Sequence, residues 1–278
     1  MYRYEDLTWP EVNDAVEAGK IPVLPVGSIE QHGHHLPLKT DWLCATAVCE
    51  EAVKRNQDLL LLMPTVFYGY TRHVMDFPGT INIQYNHFIE YCLDITKSLA
   101  YHGFKKLILV NGHGSNGPLV EMVGRRTNLE TDAVCAVLDW WSLTTVDPQF
   151  NARWRESVFP GGTGHACEIE TSMLLHLDPE RVRKEKAVNE IVKFNAAKSK
   201  FQWVDLVAAG PVHIVEWTSS YTESGVSGEA MKAAAEKGKL ILEESARQLG
   251  AFAREFASRP AYKRQDHHKR PPTFPLPQ

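Results

Sequence analysis

Three glycine-bounded segments of the sequence carry side chains of the kind that bind metal ions. The first is "GSIEQHGHHLPLKTD" (27–41), which follows the apolar run "IPVLPV"; the others are "VNGHGSNG" (110–117) and "GGTGHACEIETS" (161–172). The candidate ligands in these segments are Glu30, His32, Asp41, His113 and Glu168. Carboxylates and imidazoles without cysteine favour Zn²⁺, Mn²⁺ or Fe²⁺ over a cysteine-rich structural zinc site.

Five candidate ligands exceed the needs of one catalytic ion, which usually takes about three protein ligands and a water molecule. They suffice for two ions, roughly 3.5–4 Å apart, if one carboxylate bridges them. His165 and Glu168 are three residues apart, a spacing that on a helix puts both side chains on one face. His165 would then be free to transfer protons.

Each candidate also has a simpler interpretation. A single glutamate or histidine in a loop is often solvated, and Asp41 would suit the first turn of a helix because of the helix dipole. His113 could be only a turn residue, while His34 and His35 are expected to be exposed or to support the ligands. A metal site is favoured because three separate segments supply the same chemistry.

The elements around these segments indicate an α/β fold. Apolar runs predict strands at 21–28, 59–69 and 132–141, and a junction between strand and loop at 105–117. Helical patterns cover 41–56, 86–103, 118–130 and 227–258, the last interrupted by Gly238. Continuous apolar strands alternating with helices predict a mostly parallel sheet covered on both faces. Ligands of such sheets collect at the carboxyl ends of the strands, where the first two segments begin, while the third is a glycine-rich loop that leads into a helical run.

Composition narrows the class of protein. The 278 residues carry a formal net charge of −4, which gives no overall attraction to nucleic acid or to an anionic membrane. No apolar run approaches the roughly 20 residues that span a bilayer, and we identify no secretory signal at the start. Five cysteines without regular spacing fit free thiols in a reducing compartment, so a cytoplasmic location is expected. Residues 1–258 are predicted to form one catalytic domain, and 259–278 a basic, proline-rich tail.

Taken together, "PVGSIEQHGHHLPLKTD", "LVNGHGSN", "GTGHACEIETS" and "SGVSGEAMKAAAEKGKLILE" resemble the creatininase (creatinine amidohydrolase) family, in the right order over about residues 5–250. The resemblance implies a three-layer α/β/α sandwich, assembly as a homohexamer, and a site with two divalent ions. It also implies hydrolysis of a non-peptide C–N bond in a small molecule, with a hydroxide activated by both ions attacking the carbonyl carbon.

The resemblance also implies roles for individual residues. Glu30 and His113 match ligands of one ion, His32 matches a ligand of the other, and Asp41 matches the bridging aspartate. His165 matches the catalytic histidine that delivers a proton to the leaving nitrogen. Glu170 fits the motif as a supporting residue.

Two positions depart from creatininase proper. Ser115 stands where that enzyme has a glutamate, so Glu168 is expected to supply the missing carboxylate, and Gly161 stands where it has a tryptophan. Both departures argue against creatinine itself as the substrate. A lactonase, a deformylase and a peptidase for short peptides remain alternatives, as does a non-enzymatic binding protein stabilised by metal. Specificity is expected to reside in loops 67–80 and 216–225, whose Arg72, His73, Trp217 and Tyr221 either line the pocket or pack against it.

Overall fold

The computed structural model describes residues 2–196, 199–270 and 272–274. Its helices are α1 (Trp9–Glu17), α2 (Thr40–Arg55), α3 (Tyr85–Tyr101), α4 (Gly117–Glu130), α5 (Glu168–Leu177), α6 (Lys193–Ala196) and α7 (Ala235–Ser258). Its strands are β1 (Ile21–Val26), β2 (Leu60–Leu62), β3 (Lys106–Asn111), β4 (Val134–Asp139), β5 (Thr163–His165), β6 (Asn189–Glu190) and β7 (Ser227–Glu229). Within the described residues, no helix is long and apolar enough to cross a bilayer.

Four strands form a parallel central sheet in the order β2-β1-β3-β4. All six residues of β1 are buried, as are five of the six residues of β3, because helices cover both faces of the sheet. One apolar cluster joins the sheet to α2, α5 and α7, and a second joins it to α1, α3 and α4. The predicted three-layer α/β/α arrangement is therefore confirmed.

The strand predicted at 59–69 is much shorter than expected. The N–H of Met63 still donates to the carbonyl of Val23, at 2.9 Å, but β2 has already ended at Leu62. Pro25, the next residue of β1 that faces β2, has no N–H to continue the ladder, and Pro64 follows in the chain. Pairing with β1 resumes only at Val66, whose N–H donates to the carbonyl of Pro25 at 3.0 Å and whose carbonyl accepts the N–H of Gly27 at 2.9 Å, and the chain beyond it forms the loop that borders the site.

A second sheet was not predicted from the sequence. It is small and antiparallel, with the order β5-β7-β6, and β7 occupies the first residues of the region predicted as one long helix. The helix itself begins only at Ala235, after a 3₁₀ turn over Ala230–Lys232. This small sheet matters for function because β5 ends at His165.

Gly238 lies inside α7 without interrupting it, because α7 packs directly on the backbone of α5 at this point. A Cβ atom on Gly238 would lie 1.9 Å from the carbonyl oxygen of Ser172. The glycine is therefore required by the close approach of two helices, and it occupies a helical position at the usual cost in propensity, about 1 kcal/mol.

Replacement of Gly238 by alanine is expected to destabilise the protein by about 1–3 kcal/mol, because the two helices must separate to admit the methyl group. This cost outweighs the gain of about 1 kcal/mol in helix propensity. Urea denaturation measures the change, with Lys239→Ala at the neighbouring exposed position as the control, expected within about 0.5 kcal/mol of wild type. A Gly238→Ala protein more stable than wild type would contradict the packing argument.

The outer edge of β4 is covered by a side chain. The N–H of Val134 donates to the carbonyl of Lys105 on the β3 side, so the backbone groups of Cys135 face outward. Asn128 of α4 meets both of them: its Nδ2 donates to the carbonyl of Cys135 at 3.2 Å, and its Oδ1 accepts the N–H of Cys135 at 2.5 Å. Asn128 therefore satisfies one residue of an edge strand that has no neighbouring strand among the described residues.

Candidate metal centre

Residues from five separate elements meet at the carboxyl ends of β1 and β3. They are Glu30 and His32 after β1, Asp41 in the first turn of α2, His113 after β3, His165 at the end of β5 and Glu170 in the first turn of α5. The start of α2 reaches the strand ends because glycines leave room for it. A Cβ atom on Gly27 would lie 2.4 Å from the Cα of Trp42, and one on Gly112 would lie 2.4 Å from the carbonyl oxygen of Asp41.

Glu30, Asp41 and His113 form one half of the cluster. The Nδ1 atom of His113 lies 3.2 Å from Oε1 of Glu30 and 3.1 Å from Oδ2 of Asp41. Its Nε2 atom lies 3.1 Å from the carbonyl oxygen of Tyr70, which can only accept, so Nε2 carries the proton. In the neutral ring, the lone pair of Nδ1 therefore faces two carboxylate oxygens.

His32, Asp41 and Glu170 form the other half in the same way. The Nδ1 atom of His32 donates to the carbonyl of Glu30 at 3.2 Å. Its Nε2 atom lies 3.0 Å from Oδ1 of Asp41 and 3.7 Å from Oε1 of Glu170. Asp41 thus presents one oxygen to each histidine, and it is the residue that the two halves share.

The electrostatics of the cluster call for positive charge. Burial alone would lower the pKa of His113, but Glu30 and Asp41 raise it to about 10, and Asp41 and Glu170 likewise raise the pKa of buried His32 well above its usual value. Despite burial, His113 holds the pKa of Glu30, and His32 that of Glu170, below its usual range. Carboxylates of lowered pKa therefore lie beside two rings that tend to bind a cation or a proton.

Two buried atoms at the centre of the cluster make no hydrogen bond within the described residues: Nε2 of His32 and Oδ2 of Asp41. An unpaired buried polar atom is costly, and both atoms are good ligands for a divalent cation. In each of the three groups Glu30–His32–His165, Glu30–Asp41–His113 and His32–Asp41–Glu170, the ligand atoms lie within 4.8 Å of one another. The nitrogen and oxygen donors present therefore fit bound metal ions.

Glu168, which the sequence predicted as a ligand, lies outside the cluster. Its buried carboxylate accepts the N–H groups of Glu156 and Ser157, and the ammonium of Lys237 lies 2.5 Å from it. The prediction placed His165 and Glu168 on one helix face, but His165 ends a strand and α5 begins at Glu168. The first turn of α5 consequently directs Glu170 to His32 and turns Glu168 toward the loop before β5.

Replacement of Glu170 and Glu168 by glutamine separates these two roles. Glu170→Gln is expected to bind one metal equivalent fewer than the wild type, because it removes a carboxylate that faces His32. Glu168→Gln is expected to keep the wild-type metal content and to lower the free energy of unfolding by about 1.5–3 kcal/mol, the usual loss for hydrogen bonds to a charged group. Elemental analysis after dialysis, together with denaturant unfolding, measures both effects. Metal loss in Glu168→Gln alone would support the original assignment.

His165 faces the cluster with one ring nitrogen and the protein with the other. Its Nε2 atom donates to the carbonyl of Gln31 at 2.8 Å, and its Nδ1 atom lies 3.5 Å from Oε1 of Glu30. The side chain of Gln31 is itself fixed, because its Oε1 accepts the N–H of Gly33 and its Nε2 donates to the carbonyl of Gly225. The backbone of Gln31 therefore fixes the tautomer in which Nδ1 can accept a proton.

Two asparagines that the sequence reasoning passed over support His113. The side-chain amide of Asn111 accepts the N–H of His113 and donates to its carbonyl and to Asp139. Asn116 accepts the N–H of Tyr70 and donates to the carbonyl of Gly27, so it holds the strand-end loops together. The sequence could have indicated this role, because the two asparagines lie on either side of His113 in "NGHGSN".

The loops expected to set specificity contribute differently to the surroundings of the cluster. The ring of His73 stacks on that of His113, with centroids 6.2 Å apart and an angle of 28° between the planes. The Oγ atom of Ser115 lies 3.3 Å from Nδ1 of His73. Burial lowers the pKa of His73 to about 4, so the ring is neutral. Tyr221 is partly buried, where burial raises its pKa, whereas Trp217 is 47% exposed.

The departures from creatininase proper also have a structural setting. Gly161 has a φ of +101°, and a Cβ atom there would lie 2.5 Å from Nδ2 of Asn195, so no tryptophan fits this position. Trp140 and Trp141 are both buried and belong to the apolar cluster between the sheet and α7. Both are therefore core residues.

Comparisons with known proteins agree with this geometry. A family model described as "Creatininase: Creatinine amidohydrolase" matches residues 5–253. A creatinine amidohydrolase from Pseudomonas putida is 30% identical over 86% of this chain and 90% of its own. A mycofactocin precursor peptide peptidase from Mycolicibacterium smegmatis is 31% identical over 80% of this chain and 79% of its own. A creatininase solved with manganese superposes with a TM-score of 0.75 at 27% identity, covering 92% of this chain and 99% of that one, and another creatininase structure is of a Zn–Zn type.

Proposed function

Because the chain belongs to the creatininase family of amidohydrolases, we propose that it is a metal-dependent hydrolase that cleaves the C–N bond of an amide in a small molecule. The proposed metal site holds two divalent ions, Zn²⁺ or Mn²⁺, with Fe²⁺ possible from the donor types. Glu30, Asp41 and His113 would hold one ion, and His32, Asp41 and Glu170 the other. Residues 1–258 are proposed as the catalytic domain.

One observation carries this proposal: the carboxylate of Asp41 lies between two ring nitrogens, and the second nitrogen of each ring donates to a backbone carbonyl. These nitrogens of His32 and His113 lie 3.0 and 3.1 Å from Asp41 oxygens, so each contact is repulsive unless a proton or a metal ion lies between the two atoms. A cation on each side of Asp41 would remove both repulsions and use the unpaired Oδ2.

The chain's own residues account for the rest of the proposed reaction. The bound ions would supply Lewis acidity toward the substrate carbonyl and lower the pKa of a water molecule. His165 would take up a proton at Nδ1 and deliver it to the leaving nitrogen, which leaves poorly unless it is protonated. Gln31 holds the opposite ring nitrogen, so that Nδ1 remains directed at the site. Neutral His73 and partly buried Tyr221 are proposed to contact the substrate.

A peptide substrate is the strongest alternative because of the relative in Mycolicibacterium smegmatis, whose name states a peptidase activity. A peptide bond is also an amide, so the same ions and the same proton at His165 would serve. Gly161 leaves no room for the tryptophan of creatininase proper, so it counts against creatinine as the substrate. It is compatible both with another small-molecule amide and with a peptide.

Screening the purified protein, loaded with Zn²⁺ or Mn²⁺, against cyclic amides, linear amides, formamides, lactones and short peptides tests the proposal. We expect turnover of an amide that is lost on chelation and restored by metal. Turnover of lactones alone would contradict C–N hydrolysis. A protein that unfolds on chelation and turns over none of these compounds would support the alternative of a structural metal site.

Metal binding is expected to release protons. In the metal-free protein the raised pKa values of His113 and His32 keep both rings protonated at pH 7, and each proton must leave before a ring nitrogen can bind an ion. The apparent affinity should therefore rise as the pH increases from 6 to 8, by about tenfold per unit for each proton displaced. Titration calorimetry in buffers of different ionisation enthalpy counts the protons, and heats independent of the buffer would contradict this expectation.

Two further properties are proposed from the family resemblance and the composition. We propose assembly as a homohexamer, supported by exposed apolar side chains such as Phe67, Tyr68 and Val215, and tested by light scattering of the purified protein. A cytoplasmic location is proposed because the five cysteines are all free and buried.

A further inference from the structure

The two glutamates of the cluster each have one oxygen occupied by the protein. In Glu30, Oε1 faces the cluster and lies 3.2 Å from Nδ1 of His113, while Oε2 accepts a hydrogen bond from the hydroxyl of Thr71. Thr71 is fully buried, and its own N–H donates to Oδ1 of Asn82 at 2.9 Å. The hydroxyl is therefore held in place from outside the cluster.

Glu170 has the same arrangement with different donors. Its Oε1 faces His32, while its Oε2 lies 3.3 Å from the backbone N–H of Cys167 and 3.5 Å from its thiol. These contacts form a capping box at the start of α5, in which a glutamate in the first turn bonds back to the residue before the helix. Cys167 is fully buried, and a thiol keeps its proton at neutral pH, so it can donate.

Asp41 has no such restraint. Its Oδ1 faces His32 and its Oδ2 faces His113, and Oδ2 makes no hydrogen bond within the described part of the chain. Among the three carboxylates, only the shared one therefore keeps both oxygens available. The difference follows from the surrounding donors, since all three side chains are buried.

We propose that Thr71 and Cys167 are positioning residues that leave each glutamate a single oxygen for metal and so keep two separate ion sites on either side of Asp41. This inference rests on the proposed function and deepens it, because it assigns one supporting donor to each ion. Without its donor, a glutamate could rotate and turn both oxygens into the cluster, where it would compete with Asp41. Partners of this kind behind a metal ligand commonly change affinity by about 10–100-fold.

Titration of the metal-free protein with Zn²⁺ in a calorimeter tests the inference through binding alone. We expect two sites in the wild type, a loss of about 10–100-fold in affinity at one site in Thr71→Val, and a smaller loss of about 3–10-fold at the other in Cys167→Ala, because the backbone N–H of residue 167 still donates to Glu170. Thr71→Ser and Cys167→Ser retain a donor and are expected to keep both affinities within about threefold of wild type. Unfolding of the metal-free variants checks that each remains folded.

Single-site backgrounds assign each donor to its ion. In His113→Ala, where only the His32 side is intact, Cys167→Ala should still weaken binding and Thr71→Val should not; in His32→Ala the order should reverse. The inference is overturned if both variants weaken both sites equally, if neither does, or if the serine variants are as weak as the valine and alanine variants. Binding of a single equivalent by the wild type would instead refute the two-ion proposal, and this inference with it.

Discussion

Asp41→Asn is expected to abolish binding of both proposed metal ions. Asparagine has the shape of aspartate but no charge, and its amide nitrogen cannot bind a cation. Asp41 now presents one oxygen to His32, at 3.0 Å, and the other to His113, at 3.1 Å. In asparagine an NH₂ group replaces one of these oxygens, so one of the two histidines would face it. Losing a partner behind a ligand already costs about 10–100-fold in affinity, so losing the shared ligand should cost on the order of 100-fold or more at each site.

Elemental analysis of dialysed protein measures this loss. Asp139→Asn is the matched control, since Asp139 is a mostly buried aspartate at the end of β4 that accepts a hydrogen bond from Asn111, which asparagine can also accept. The control should keep two equivalents of metal. If Asp41→Asn also keeps two with unchanged affinity, Asp41 is not shared between the ions.

His165→Ala is expected to keep both metal ions and to lose about 10²–10⁴ in kcat, the usual contribution of a general acid or base. The separation follows from geometry, because Glu30, Asp41 and Glu170 with His32 and His113 complete both halves of the cluster without His165. The ring of His165 is instead bonded to the carbonyl of Gln31 and presents Nδ1 to the cluster at its edge.

Turnover of the amide found by screening, together with metal content, measures the effect. His34→Ala is the control within the ligand-rich segment, because His34 is exposed and should change neither quantity. An active His165→Ala protein would remove the histidine from the chemistry, whereas loss of one ion would make it a ligand, as its membership of one candidate group allows.

The sequence predicted the central sheet and most of the cluster because both depend on local patterns. The run "IPVLPV" is apolar at every position, which is typical of a strand covered on both faces, and the next segment follows its carboxyl end. Glu30, His32, Asp41 and His113 could therefore be brought together from strand ends alone. The glycine-rich segment also singled out His165 for proton transfer, but nothing in that segment indicates the small sheet that carries the histidine.

The choice between Glu168 and Glu170 could not be made from spacing. The two residues are acidic positions in the first turn of α5, separated by Ile169, and a helix that began at His165 would have directed Glu168 to the site. The chain is extended at His165 and Ala166 takes a positive φ of 51°, so the helix starts three residues later. Pairing between β5 and β7, which are more than sixty residues apart in the chain, determines that start, and long-range pairing leaves no local signal.

Asn128 limits how copies of this chain can join. Its amide imitates the backbone of a following strand at Cys135, so a strand from another molecule that approached β4 in register would find both hydrogen-bonding groups of that residue already taken. The open side of the sheet is thereby protected against templated, fibre-like growth, a common hazard of bare edges. The proposed homohexamer would accordingly form through side-chain surfaces, which can close into a finite particle, and not through this edge.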